Sequence, residues 1–286
     1  MSFWLIQSMN SLALGGILFT LAAGFSLIFG LMRIANLAHG AYFMLGAYVG
    51  YTVLATSQNF LLAMLAGCAA IALLGGVTER FILRRLINDS LAQVLATLGM
   101  AFVIADACLW LWGGDPQPVS PPDILSGAVR LFGFGFPLYR IAVLGFSILL
   151  AASLWVLLER TRLGMMIRAS VDDRQMARGI GIPSSRLFSI VFCLGAGLAG
   201  IGGVIASPIL SIYPGMDMDM LPLALVVVIL GGVDSVVGAF VGSFAIGFIY
   251  SFGQVLFPNL AYVILFLPMV VILAIRPRGL FGRTAA

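Results

Sequence analysis

The sequence contains no lysine; all fifteen basic residues are arginine. A phosphate-binding P-loop needs a lysine on the β/γ-phosphates, so the chain is no Walker-type ATPase. Schiff-base chemistry and a kinase-type lysine are excluded with it. His39 is the single histidine, which leaves no H-E-x-x-H helix and no histidine-rich metal site. The three cysteines, Cys68, Cys108 and Cys193, stand far apart in apolar stretches without disulfide or zinc spacing. They read as small core residues, and no bound metal is expected. Charge is scarce as well: 9% of residues are charged, against about 25% in a soluble domain.

What is abundant is apolar surface. Of 286 residues, 62% are hydrophobic, more than a soluble globule of this size can hide. The expected fold is therefore all-α: one polytopic transmembrane helical bundle over residues 1–286. Apolar runs near 20 residues predict spans at about 11–31, 40–56, 61–82, 91–112, 140–158, 187–209 and 260–275. Residues 219–255 hold two helices or one broken helix, interrupted at Gly231-Gly232-Val233-Asp234-Ser235. The total is eight or nine crossings, some of them broken or re-entrant. No positive charge precedes Arg33, so the first apolar stretch reads as a retained helix, not a signal peptide.

Arginine placement predicts orientation. Arg33, the stretch 78–90, the stretch 159–186 and the tail together hold thirteen of the fifteen arginines. These segments fall on one side if the spans alternate, and that side should be cytoplasmic, with the C-terminus inside. Arg130 and Arg140 fall on the other side. There the loop 113–139, rich in glycine and proline, reads as rigid and turn-rich.

Four groups of residues carry functional readings. In the arginine-rich segment, about 160–183, Ser170 followed by Asp173 predicts a helix N-cap with an acid in the first turn. Asp172 and Asp173 then face the positive end of the dipole and Arg178 the negative end, with Gly179 at C′. Met176, Ala177 and Ile180 form a small apolar face, and Ser184 or Ser185 caps the next span. Such a short helix suits docking into another protein; a basic loop lying on anionic headgroups fits the same residues.

Asn36, His39 and Gly40 stand where a helix enters the membrane, and free helix N-termini at depth favour polar or anionic solutes. A capped interfacial turn is the simpler reading. Asp106, mid-span, and Asp234, at the glycine break, are costly in a bilayer and so mark a pathway, an interhelical pair or a proton carrier; for Asp234 a structural cap is favoured. Asp115, Asp123, Arg130, Asp217 and Asp219, with Arg140, form a mixed-charge outer rim, suited to a docking partner or to plain solvation. Small residues at four-residue spacing, as in Gly195-x₃-Ala199-x₃-Gly203 and Gly238-x₃-Gly242, predict close helix packing and allow dimerisation.

Taken in order, Ile34-Ala-Asn-Leu-Ala-His-Gly-Ala-Tyr42, Gln93-Val-Leu-Ala-Thr-Leu-Gly99, Glu159-Arg-Thr-Arg-Leu-Gly164, Ala177-Arg-Gly-Ile-Gly-Ile182 and Arg276-Pro-Arg-Gly-Leu-Phe-Gly282 resemble the permease subunits of branched-chain amino acid ABC importers, most closely the shorter, LivH-type permease. The resemblance covers the whole chain. It implies a bacterial or archaeal inner-membrane transport subunit, not an enzyme. It implies as partners a second homologous permease, two ATPase subunits that bind ATP and magnesium, and an extracytoplasmic amino-acid-binding protein that meets the outer rim. This chain would hold no cofactor. Lipid is a partner and nucleic acid is not. The ATPase contact would run from Arg168 and Ala169 through Asp172, Asp173, Met176, Ala177 and Arg178 to Gly181. The solute could also be urea, a short amide or another amino acid. A gradient-driven secondary transporter using Asp106 or Asp234 is the main rival class.

Overall fold

The computed structural model describes residues 2–32, 36–86, 89–131, 134–233, 235–276 and 279–282. Among the described residues, nine apolar helices occupy the seven predicted spans and the 219–255 stretch. They are α1 (Ser2–Met32), α2 (His39–Ser57), α3 (Phe60–Phe81), α4 (Ser90–Trp112), α5 (Leu138–Arg160), α8 (Ser184–Leu210), α9 (Met216–Gly231), α10 (Val236–Leu256) and α11 (Ala261–Ile275). Two short helices, α6 (Arg162–Asp172) and α7 (Arg174–Gly179), lie between α5 and α8. With no water in the bilayer core, backbone groups must be satisfied within each segment, which is why these runs become helices. Polar side chains mark where several of them start. Asn59, Asp89, Thr161, Asp173 and Ser235 each accept a hydrogen bond from a first-turn N–H of α3, α4, α6, α7 and α10.

Among the described residues, α1, α3, α4, α5, α8 and α10 are long and apolar enough to cross a membrane. The 16 residues of α9 reach about 24 Å, against a hydrocarbon thickness of about 30 Å. A total of eight or nine crossings therefore depends on counting α2, α9 and α11 as well. The glycine break resolves into two helices, α9 and α10, not one bent helix. The all-α expectation has one small exception: in the loop 113–139, Ala128–Leu131 (β1) pairs antiparallel with Phe134–Pro137 (β2).

Helix α2 is the centre of the bundle, with Tyr42, Phe43, Met44, Ala47 and Tyr48 fully buried. Its neighbours approach backbone to backbone. A Cβ on Gly46 would come within 2.5 Å of the Gly200 Cα in α8, and a Cβ on Gly200 within 2.6 Å of the Gly67 carbonyl oxygen in α3. Three helices thus converge on three glycines. The other small-residue repeats also face inward: Gly195 meets Gly24 of α1, Gly238 meets Gly231, and Gly247 meets Ser11. They serve packing within the chain, so these faces are not free for dimerisation.

The segment after α11 returns to the break between α9 and α10. Leu280 N–H donates to Leu230 O at 2.9 Å and Phe281 N–H to Gly231 O at 3.0 Å. These bonds satisfy carbonyls that the last turn of α9 leaves without helical partners.

Candidate functional site

The start of α2 lies deep in the bundle. His39 is fully buried, and its Nε2 lies 3.0 Å from the Leu21 carbonyl oxygen of α1. Leu21 precedes Met32, the end of α1, by eleven residues, about 16 Å of helix. The bond requires the Nε2–H tautomer, which leaves Nδ1 as an acceptor; Nδ1 has no partner among the described residues. The Phe25 ring packs edge-on against the imidazole, with centroids 5.5 Å apart. Asn36, also fully buried, accepts from Ala38 N–H at 3.2 Å through Oδ1, while its Nδ2 is unpartnered. Thr97 of α4 accepts from Leu37 N–H at 3.2 Å.

Gly40 permits the closest contact here. A Cβ at that position would come within 2.6 Å of the Asp217 carbonyl oxygen in the first turn of α9. That contact carries Asp217 away from its expected place on the outer rim: it is 3% exposed and its Oδ1 is unpartnered. Asn36, His39 and Gly40 are thus brought together, joined by an acid that the sequence placed elsewhere. Asp106 is not part of this group; it is exposed on α4. Asp234 lies outside the described residues, between Val233, whose carbonyl accepts from Ser26 at 2.9 Å, and Ser235, which caps α10.

In the arginine-rich segment the helix start differs from expectation. Ser170 is not the cap. A helix already begins at the Thr161 cap, so Ser170 falls inside α6 on its buried face, beside Ile167. Asp173 is the cap of α7, its Oδ1 accepting from the Gln175 and Met176 N–H groups at 2.8 and 2.9 Å. Gly181, at φ +89°, takes the left-handed position expected of Gly179. Neither Ser184 nor Ser185 caps α8, which starts after Pro183 without a side-chain cap. Met176 and Ile180 are 64% and 69% exposed, and Ala177 beneath them is 2% exposed. Asp172, Arg178 and Gly181 are exposed and Ala169 is half-buried. Arg168 turns back onto α5, donating to Leu158 O and pairing with Glu159 at 3.2 Å; cations at a helix C-terminus are favoured by its dipole.

On the opposite side Asp115, Asp123, Arg130 and Asp219 are exposed, and Asp219 accepts from the Tyr213 hydroxyl at 2.5 Å. A cleft of about 910 Å³ opens between the α2–α3 turn and residues 118–125, with Asp123 in its wall.

One group escaped sequence reasoning. Glu79, 2% exposed, receives Arg84 at 3.1 Å and the Ser189 hydroxyl at 2.7 Å, and Arg84 also donates to Ser185 O at 3.1 Å. The only signal was an acid within an apolar run, five residues before an arginine.

A family described as "Branched-chain amino acid transport system / permease component" matches residues 8–273. The chain is 26% identical over 295 residues to the high-affinity branched-chain amino acid transport system permease protein BraD of Pseudomonas aeruginosa, covering 98% of this chain and 96% of that one. It is 25% identical over 300 residues to the permease protein LivH of the corresponding Salmonella typhimurium system, again covering 98% and 96%. Among solved structures, PsaBC from Streptococcus pneumoniae in complex with Fab is similar at a TM-score of 0.50 and 14% identity, over 93% of this chain and 89% of that one. At that identity the likeness concerns the fold alone.

Proposed function

Because the chain belongs to the branched-chain amino acid transport permease family, we propose that it is the membrane subunit of an ATP-driven importer that carries Leu-, Ile- or Val-type amino acids across the inner membrane by alternating access. Its partners are a second homologous permease, two ATPase subunits that bind ATP and magnesium, and an extracytoplasmic amino-acid-binding protein. The arginine-rich side and the C-terminus are cytoplasmic, and eight or nine segments cross. The binding protein meets the exposed rim at Asp115, Asp123, Arg130 and Asp219.

The observation that carries this reading is α7. A helix of six residues, capped by Asp173, holds Met176 out to solvent between two spans, and Ile180, at its C-cap, is exposed as well. Exposed apolar side chains on a capped helix suit the groove of a partner ATPase. Motion of that ATPase then reaches α8 directly, because α8 begins five residues after α7 ends. The solute passes between this subunit and the second permease. Asn36, His39 and Gly40 supply polar groups at depth where α2 begins, and Asp234 is a further candidate for the path.

The test uses the reconstituted complex. Met176→Glu combined with Arg178→Glu should abolish solute-stimulated ATP hydrolysis while the permease pair still assembles. Undiminished stimulation refutes the docking role. Gradient-driven uptake by this chain alone refutes the ATP-driven reading.

A further inference from the structure

Helix α4 packs on the rest of the chain along one face, through Gln93, Thr97, Ala101, Ile104 and Cys108. Its opposite face is exposed and carries Leu95, Gly99, Phe102, Val103, Asp106 and Trp110. Asp106 lies five residues beyond Ala101, the middle of α4, about 8 Å along the axis. If α4 spans the bilayer, the carboxylate lies within the hydrocarbon layer. It has no hydrogen-bond or ion-pair partner among the described residues.

Three surroundings are conceivable for that carboxylate. Acyl chains offer no donor, and a short aspartate side chain does not reach the headgroups from this depth, so lipid is the costliest. A purely aqueous groove would have polar walls, but the neighbours on this face are Phe102, Val103 and Trp110, the last 85% exposed. The third is a protein helix with a donor. The shape of the face agrees with it: nothing lies within 4 Å of where a Gly99 Cβ would stand, so a notch interrupts a bulky ridge, and a glycine notch lets a second helix backbone come close.

We propose that this face of α4 seats a membrane helix of the second permease subunit, whose arginine, hydroxyl or amide donates to the Asp106 carboxylate. The proposal rests on the two-permease reading given above. It further requires that the second subunit differ from this one. A two-fold pairing of identical α4 helices would set Asp106 against Asp106, and like charges at that depth repel. The only donor exposed on this face beside the carboxylate is the Trp110 indole N–H.

The full complex, co-expressed and purified through a tag on this chain, tests the proposal. Asp106→Leu should lower the yield of co-purified second permease roughly tenfold, and Asp106→Asn less. The thermal stability of this chain alone should not change, because the carboxylate touches nothing within it. A photo-crosslinking p-benzoylphenylalanine at Trp110 should capture the second permease. Full co-purification with Asp106→Leu, or capture of lipid alone or of another copy of this chain from an intact complex, overturns the proposal. If wild-type chain brings down no second permease, both the proposal and the two-permease reading fall.

Discussion

Arg84→Ala should be among the most damaging substitutions outside the close-packed glycines. Glu79 is 2% exposed and Arg84 is 35% exposed, so the carboxylate is the desolvated partner. It accepts three guanidinium contacts, at 3.2, 3.2 and 3.1 Å, and one hydroxyl bond, at 2.7 Å. Removing Arg84 leaves a buried carboxylate with Ser189 as its one remaining donor among the described residues. Breaking a buried pair from one side costs about 3–5 kcal/mol, and partial water access on the arginine side places this case near the lower figure. Glu79→Gln, by contrast, removes the charge, keeps a hydrogen-bonding side chain of the same shape and leaves Arg84 its bonds to Ser185 O and Ser189, so it should cost about 1 kcal/mol. The double variant should be less destabilised than Arg84→Ala alone, because no bare charge remains. Thermal unfolding in detergent, followed by labelling of the Cys68, Cys108 and Cys193 thiols, should show a midpoint lowered by roughly 6 °C or more for Arg84→Ala. Equal losses for Arg84→Ala and Glu79→Gln, or a double variant worse than both, would refute the assignment of a buried charge held by its arginine.

Asp173→Ala should leave the spans intact and loosen α7, at a local cost of about 1 kcal/mol; hydrogen exchange at residues 174–180 should accelerate while exchange in α8 does not. Gly200→Leu should prevent α8 from closing on α2 and α3, because even a Cβ there meets the Gly67 carbonyl at 2.6 Å. Low yield and aggregation in detergent check this, against near-normal behaviour for Gly145→Leu, where nothing lies within 4 Å.

The spans were legible because a long apolar run in lipid has essentially one way to satisfy its backbone. The entry of α2 was legible for a related reason: Asn36 and His39 interrupt such a run. Choices between chemically equal residues were not. Ser170 and Asp173 both have cap chemistry, and only the earlier start of α6 at Thr161 decides between them. By its place in the chain Asp217 reads as rim charge, alongside Asp219. Its burial depends on Gly40, 177 positions away in the chain. Likewise nothing local in Glu79 announces Ser189; the two meet only because α3 and α8 lie against each other. Side-chain identity fixed the elements, and long-range packing fixed which polar groups became internal.

The meeting of Gly46, Gly67 and Gly200 has a mechanical consequence. With no side chains between the backbones here, and with Gly203 meeting the Phe43 carbonyl one turn further on, α8 bears on α2 and α3 over a short stiff stretch around Gly200, which acts as a fulcrum. Gly200 lies sixteen residues from Ser184 and ten from Leu210, giving lever arms of about 24 and 15 Å. If α8 turns as a rigid rod about that point, a displacement at its arginine-rich end appears at the far end reversed in direction and reduced to about six-tenths. A push at one face of the membrane would thereby close one side of the bundle as it opened the other.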